Sequence, residues 1–175
     1  MTEHTHDESC AVAHGAPPAA EEPTRTLVAV FASPVAARLL GWAADLGYRP
    51  VLVEPDADRR AGAAPPAEVV ADVKAAGLDA HTDLVVCDHH RAELGEVLRD
   101  ALAAETRWIG LMGNPRHPGP HIEPLRALGV PDADIARVHR PIGLNIGSRT
   151  PAEIAVATLA GLIADRNARP GGFAF

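Results

Sequence analysis

The sequence has 175 residues and is 47% hydrophobic and 22% charged, which is typical of a globular protein that can bury a sizeable core. Its formal net charge is -7, but five acids lie in the first 24 residues, which contain no Lys or Arg, so the rest of the chain carries about -2. This balance excludes a basic footprint for nucleic acid or an anionic membrane surface, and no run of about 20 apolar residues predicts a membrane span.

The chain is expected to form one domain between two less ordered ends. Residues 1–24 predict a disordered acidic tail, because Pro, Ala and acids dominate there without an apolar period. We expect the domain over residues 25–168 and a flexible C-terminus over 169–175. Cys10 and Cys87 are too few for a disulfide framework, and the N-terminus lacks the segments of a secretory signal. A cytoplasmic location is therefore expected.

From Leu27 onward, short apolar segments alternate with longer stretches of helical spacing. The apolar segments predict strands at 27–31, 50–53, 84–87, 108–112 and 136–139. The other stretches predict helices at 34–46, 66–76, 91–103, 121–128 and 151–166. Near-continuous apolar strands that alternate with helices predict an α/β fold, a three-layer Rossmann-like domain with a mostly parallel sheet of about five strands.

Residues that begin and end helices support these boundaries. Gly47 and Gly77 follow helical stretches, where C-terminal caps are common. Thr150 precedes Pro151 and Glu153, which predicts a helix start with proline at the first position and a reciprocal capping box.

The first predicted strand, helix and strand have the order that opens a dinucleotide-binding unit. In such units glycines let the backbone approach the pyrophosphate, and an acid about 20 residues on binds the ribose. Glu54 is placed for that role, but the first turn, FASPVA, contains no glycine. The turn is therefore either an altered cofactor pocket or, as we favour, a plain helix start with Ser33 as N-cap and Pro34 at the first position. In the second case Glu54 is a relic or a surface acid.

The strand in DLVVCDHH runs directly into Asp88, His89 and His90. Ligands of open parallel sheets bind outside the carboxyl ends of the strands, so these side chains are candidates for ligand contact or proton transfer. Adjacent residues point in different directions, and we predict no metal site here. The alternative is that Asp88 caps the next helix and the histidines are solvated. Cys87 is interpreted as a small buried hydrophobe.

The stretch WIGLMGNPRH ends another strand in a turn that contains glycine. Gly110 and Gly113 frame the turn, and Asn114 and Arg116 follow it. A glycine turn followed by Arg is a reasonable anion cradle, although Gly-Asn-Pro is also an ordinary turn.

The stretch VHRPIGLNIGSRTP carries Gly143, Leu144 and Asn145 and leads into the helix start at Thr150. The N-terminus of that helix is another candidate anion site, and the alternative is a loop whose glycines allow positive φ. Four strand ends with such turns should share one edge of the sheet. The sequence therefore predicts a pocket at that edge.

These stretches together resemble a known family. RWIGLMGNPRH is similar to the pattern y-I-G-l-l-G-S-r-r-k, and DLVVCDHH resembles D-x-v-v-v-x-T-H-d. The block from Arg137 to Arg166 resembles r-v-h-a-P-I-G-L-d-i-G-a-x-T-P-e-E-I-A-v-s-I-l-A-E-l. These patterns belong to the XdhC/CoxI family of accessory proteins of xanthine dehydrogenase and related molybdenum hydroxylases. The resemblance covers the C-terminal Rossmann-like domain of the family, over residues 27–166.

The resemblance implies a maturation role in which molybdenum cofactor (molybdopterin) is bound and passed to an apo-hydroxylase, more as a chaperone than as an enzyme. We expect Gly110, Gly113, Asn114 and Arg116 to cradle phosphate, opposite a wall of Gly143, Leu144, Asn145 and Thr150, with Asp88 and His89 facing the ligand. The expected partner is a hydroxylase or an XdhC-type paralogue, and homo-oligomers are also compatible.

The sequence departs from the family pattern in three places. The resemblance begins at Leu27, so the family's N-terminal domain with its cysteine motif is expected to be missing. The first turn, f-G-a-G-h-v-a in the family, is FASPVA here, and G-S-R becomes Gly-Asn-Pro-Arg. Two alternatives therefore stand beside the accessory role. One is an NAD(P)-dependent oxidoreductase, with Glu54 as the ribose ligand, and the other is a ligand-free module that docks on a hydroxylase or a paralogue.

Overall fold

A computed structural model describes residues 24–63, 67–114 and 116–172. The predicted tail lies outside the described residues except for Thr24, and the last three residues of the predicted flexible C-terminus also lie outside them. In chain order the elements are β1 (Arg25–Val30), α1 (Pro34–Ala43) with a 3₁₀ turn (Ala44–Leu46), β2 (Tyr48–Val53), α2 (Ala57–Gly62), β3 (Glu68–Val70), β4 (Thr82–Val86), α3 (Leu94–Leu102), β5 (Trp108–Leu111), α4 (Ile122–Ala127), α5 (Asp132–Ile135), β6 (Val138–His139) and α6 (Pro151–Arg166).

The strands form one parallel sheet in the order β3-β2-β1-β4-β5-β6. Val28 of β1 is opposite Val51 of β2 on one side and Leu84 of β4 on the other. The order reverses between β1 and β4, which creates the crevice in which open α/β sheets bind ligands. The predicted Rossmann-like α/β fold is confirmed, with six strands instead of about five.

The sixth strand replaces part of a predicted helix. The helix expected over 66–76 is wrong, because Glu68–Val70 pairs with β2 and Val73–Gly77 forms turns. Val69 and Val70 are β-branched and half-buried at the sheet edge, and this environment favours a strand. The apolar spacing there is compatible with a helix and with a strand, and pairing with β2 stabilises the strand. The short helices α2 and α5 were not predicted.

Two hydrophobic clusters cover the two faces of the sheet and confirm the three layers. Side chains that alternate along each strand enter opposite clusters, as the pleat requires. The first cluster joins strand residues such as Val28, Val51, Leu84 and Ile109 to Leu98 and Leu125 of α3 and α4. The second joins Leu27, Ala29, Leu52 and Val85 to Leu39, Leu40, Leu159 and Leu162 of α1 and α6. Each fully buried leucine contributes about 1.5–3 kcal/mol.

Local capping interactions fix the two helices that border the crevice. Ser33 Oγ accepts a hydrogen bond from the Ala36 N–H at 3.1 Å, and Pro34 begins α1 as predicted. Thr150 and Glu153 form the predicted capping box at the start of α6. Gly47 has φ +78° and ends its helix as expected, whereas Gly77 has φ +64° but follows a turn. No helix in the described residues is long and apolar enough to cross a bilayer.

A buried charge network ties α6 to the amino edge of the sheet. Asp83 at the start of β4 is fully buried. Its carboxylate accepts hydrogen bonds from Arg107 at 2.6 Å, from Arg166 at 2.8 Å and from the Tyr48 hydroxyl at 3.2 Å. Burial raises the pKa of Tyr48 and the negative charge of Asp83 adds to this effect, so the phenol stays protonated as the donor. The network therefore supports the fold at the edge opposite the crevice.

Candidate functional site

A cavity of about 980 Å³ lies at the carboxyl edge of the sheet. We call it the main cavity. It is lined by residues that follow β4 and β5, by the loop between β6 and α6, and by the first turns of α1 and α6. The lining residues are Val35, Cys87, His89, Met112, Gly113, Asn114, Arg116, residues 141–149, Ile154, Ala157 and Thr158. The position and size are those of a small-molecule site in an α/β sheet.

Most of the predicted site residues meet in the main cavity. His89, Gly113, Asn114 and Arg116 form one side, and Gly143, Leu144 and Asn145 form the facing loop. The Asn114 side chain accepts a hydrogen bond from the Arg116 N–H at 3.0 Å, which shapes the turn after β5. The pocket predicted from the strand ends is present at the expected edge.

Gly143 brings the facing loop against helix α6. Its φ is +81°, and a Cβ there would lie 3.1 Å from backbone atoms of Ala157. A Cβ on Gly161 would lie 3.0 Å from the Gly143 Cα, and the Leu144 N–H donates to the Ala157 carbonyl at 3.0 Å. Two glycines are therefore needed for this close contact, which holds the cavity wall in place.

Three other predicted residues do not line the main cavity. A Cβ on Gly110 would clash with the Trp108 ring, so packing inside β5 explains this glycine. Asp88 accepts a hydrogen bond from the His90 N–H at 2.9 Å, and α3 begins only at Leu94. The alternative that Asp88 caps the next helix is therefore wrong. Thr150 caps α6 beside the cavity.

Glu54 is also outside the main cavity, and its interpretation as a surface acid is wrong. The side chain is fully buried. Its carboxylate accepts hydrogen bonds from the Ala32 N–H at 2.8 Å, from the Asp56 N–H at 3.1 Å and from Arg91 at 3.0 Å. The Arg91 guanidinium also lies 4.7 Å from the centre of the Phe31 ring. Glu54 thus holds the first turn in place through hydrogen bonds from within the protein.

Phe31 shows how the first turn is built without glycine. It has φ +70°, a left-handed conformation that is rare for an aromatic residue. Its N–H donates to the Val53 carbonyl at 2.9 Å, and its ring is fully buried under Arg91. Hydrogen bonds to Glu93 and Glu54 raise the pKa of Arg91, which stays cationic. No local pattern points to Arg91 as the partner of Glu54, because the two residues are 37 positions apart along the chain.

The main cavity has an uncompensated positive charge. None of its described lining residues is Asp or Glu, whereas Arg116 and Arg149 both line it. Neither arginine forms a salt bridge within the described residues. The nearby carboxylate of Glu153 accepts hydrogen bonds from the backbone N–H groups of Arg149 and Thr150. A concave site with this charge attracts anions.

The thiol of Cys87 and the imidazole of His89 in the cavity are held in their neutral forms. Burial raises the pKa of the Cys87 thiol to about 12, even though the side chain is partly exposed at the cavity wall. Burial and the neighbouring His90 lower the pKa of His89. At neutral pH the site therefore offers a thiol and a neutral imidazole, not a thiolate nucleophile. The described residues contain no group of three or more His, Cys, Asp or Glu side chains that could hold a metal ion.

Arg140 and Arg149 were not among the predicted site residues. Both belong to the stretch HRPIGLNIGSR that identified the facing loop, so their positions beside its glycines were a usable signal. Arg140 donates to the backbone carbonyls of Asn114 and His117, and the second distance is 3.1 Å. It therefore connects the turn after β5 to the end of β6.

Comparisons with known proteins agree with this architecture. Over 77 residues the chain is 39% identical to YqeB, an uncharacterised protein of Escherichia coli strain K12, in a match that covers 44% of the chain and 14% of YqeB. A crystal structure of a xanthine dehydrogenase from Bacillus halodurans has the same fold, with a TM-score of 0.68 and 24% identity. That match covers 84% of this chain and 46% of the other, so the chain spans less than half of either relative.

The family follows from a match over most of the domain. The matching model describes the XdhC Rossmann domain and covers residues 27–162, from β1 into α6, including all residues of the main cavity. The chain belongs to the XdhC Rossmann domain family.

Proposed function

We propose that this protein is an accessory protein for the maturation of a molybdenum hydroxylase of the xanthine or CO dehydrogenase type. Its ligand would be molybdenum cofactor or a related phosphorylated compound, bound in the main cavity. Family membership supports the maturation role. We infer a phosphorylated ligand from a cavity of about 980 Å³ in which Arg116 and Arg149 form no salt bridge and no described lining residue is a carboxylate.

The residues of the main cavity suit the two parts of a phosphorylated pterin. Arg116 and Arg149 would bind the phosphate, because guanidinium groups form strong charge-assisted hydrogen bonds with phosphate oxygens. Apolar side chains such as Met112, Leu144 and Ile154 would contact the ring system. The neutral Cys87 thiol and His89 imidazole suit binding and release better than covalent catalysis, so we propose a non-catalytic role.

A titration with molybdenum cofactor, or with its pyranopterin phosphate part, tests this proposal. We expect saturable binding to wild type and binding about tenfold to a hundredfold weaker in Arg116→Ala and Arg149→Ala, because each loses a charged hydrogen bond of about 1.5–3 kcal/mol. Arg38→Ala is the control, since Arg38 is an exposed residue of α1 that does not line the main cavity. No binding to wild type would refute the proposed ligand. An unchanged affinity in both cavity variants would refute the assignment of Arg116 and Arg149 as phosphate-binding residues.

The strand order favours a second candidate, an NAD(P)-dependent oxidoreductase. The carboxylate that would bind the ribose is Glu54, and the Ala32 N–H lies where such turns face the pyrophosphate. Both groups are hydrogen-bonded to each other at 2.8 Å. A dinucleotide would have to displace this bond and the Arg91 ion pair, so we expect isothermal titrations with NAD⁺ and NADH to give no heat of binding.

The remaining alternative is a ligand-free module that docks on a hydroxylase or on an XdhC-type paralogue. Co-purification with such a partner, with no pterin or nucleotide in the mass spectrum of the complex, would favour it over cofactor binding. A partner that is captured only when the cofactor is present would instead support the maturation role.

A further inference from the structure

A second cavity of about 450 Å³ adjoins the main cavity. We call it the side cavity. It is lined by His89, His90, Asn114, His117, Pro118, Pro120 and Arg140, and it shares His89 and Asn114 with the main cavity. The two cavities therefore form one cleft with two lobes across the ends of β4 and β5.

Arg140 supplies a permanent positive charge to the side cavity. Its two terminal nitrogens donate to the carbonyls of Asn114 and His117, which are neutral acceptors. No carboxylate among the described residues forms a salt bridge with it, and no Asp or Glu is among the residues described as lining this cavity. The charge of Arg140 is thus oriented by the protein but not neutralised by it.

The third nitrogen of this guanidinium is buried against the turn after β5. Arg140 Nε is buried and has no hydrogen-bond partner in the described structure. A Cβ on Gly113, which lines the main cavity, would lie 3.0 Å from this atom. The absence of a side chain on Gly113 therefore lets the turn after β5 pack directly against the guanidinium. A buried donor without a partner is costly, so the hydrogen bonds within the protein do not fully satisfy this guanidinium.

The histidines around Arg140 provide further hydrogen-bond donors. The rings of His89 and His90 are 4.1 Å apart and tilted by 38°. His90 and His117 are exposed, and their imidazole groups can donate to an oxyanion. A purely structural role for Arg140, which joins the turn after β5 to the end of β6, explains its hydrogen bonds to two carbonyls. It does not explain why the polar side chains described as lining the side cavity are all histidine, amide or arginine.

We propose that the side cavity is a second anion subsite, and that the ligand of this protein carries two separate anionic groups of the phosphate type. One group binds Arg116 and Arg149 in the main cavity, and the other binds Arg140 with His90 and His117. The assignment of a single ligand to both lobes rests on the proposed function, whereas the anion subsite itself does not.

The test is an NMR titration of the isotope-labelled full chain with inorganic phosphate. We expect saturable shifts of the Arg140 Nε–H signal and of the His90 and His117 imidazole signals. The double variant His90→Ala/His117→Ala should bind phosphate at Arg140 about tenfold more weakly. His81→Ala, which removes an exposed imidazole near the start of β4, should leave the titration unchanged.

The double variant Arg116→Ala/Arg149→Ala separates the two subsites. We expect the Arg140 shifts to persist in it, because the side cavity keeps all of its lining residues. Shifts at Arg116 and Arg149 without a saturable shift at Arg140 would overturn the second subsite and leave the proposed function intact. Saturation at Arg140 together with no binding of the pterin phosphate would reject the proposed ligand and keep the subsite. An absence of saturable shifts at every arginine would overturn the subsite as well.

Discussion

The ion pair between Glu54 and Arg91 should be a main support of the first turn. The change we consider is Arg91→Met, which keeps an unbranched side chain over Phe31 but removes the charge. Glu54 is fully buried and Arg91 is 10% exposed. Removal of one partner of a buried ion pair costs about 3–5 kcal/mol, because it leaves an uncompensated charge. The second partner of Arg91, Glu93, is 32% exposed, so the loss of that bond should add little.

The expected loss is a large part of the stability of a domain, which is about 5–15 kcal/mol. Urea unfolding, followed by circular dichroism, measures it. With a slope of about 2 kcal/mol per molar, the midpoint should fall by about 1.5–2.5 M at an unchanged slope. A fall of less than about 0.5 M would refute our view that the buried charge at Glu54 depends on Arg91.

Two further variants make the test specific. Arg126→Met is the matched control, because Arg126 pairs with Asp132 at the surface, where the side chains are 51% and 72% exposed. It should cost no more than about 1 kcal/mol. The double variant Glu54→Gln/Arg91→Met should be more stable than Arg91→Met alone, since glutamine carries no charge and still accepts the Ala32 N–H.

Three other outcomes can be checked on the same protein. Gly143→Ala should lower the melting temperature by more than Gly147→Ala does. Both glycines have positive φ, but only at Gly143 would a Cβ lie 3.1 Å from the α6 backbone. Equal effects would contradict a close contact between Gly143 and α6. Asp83→Asn should cost about 3 kcal/mol in urea unfolding, since two partly buried arginines lose the fully buried counter-charge that they share. A neutral effect would show that the network is dispensable. Iodoacetamide should alkylate Cys87 at pH 8 over a hundredfold more slowly in the native protein than in urea, and the native rate should still rise above pH 10. The reason is that the pKa of Cys87 is about 12, whereas an ordinary thiol has a pKa of about 8.5. Fast labelling of the native protein at pH 8, measured by peptide-resolved mass spectrometry, would contradict this pKa.

Features that depend on nearby residues were predictable from the sequence. The strand at Leu27 and the capping residues Ser33 and Thr150 lie where they were predicted, because a strand period or a cap is fixed within about four residues. The edge of the sheet that carries the cavity was also predictable, since the carboxyl ends of parallel strands meet on one side.

Features that depend on distant contacts were not predictable in the same way. Val69 and Val70 became a strand because β2 offered a free edge, which no local pattern reveals. Glu54 was misjudged because its partner Arg91 lies in another loop. The role of Arg140 depends on the path of the turn after β5, so its position could be suspected from its neighbours but not its contacts.

The distribution of charge explains why ligand binding belongs at the carboxyl edge of this sheet. At the amino edge and in the first turn, Asp83 and Glu54 are fully buried and are each bound by arginine. The protein's own arginines thus neutralise these buried carboxylates. Across the cleft no carboxylate of the described residues forms a salt bridge with the guanidinium groups of Arg116, Arg140 or Arg149, although the chain as a whole is acidic. An anion that binds these guanidinium groups only in the folded state stabilises that state by mass action. The charges that the fold leaves unpaired are therefore those that a phosphorylated ligand would neutralise.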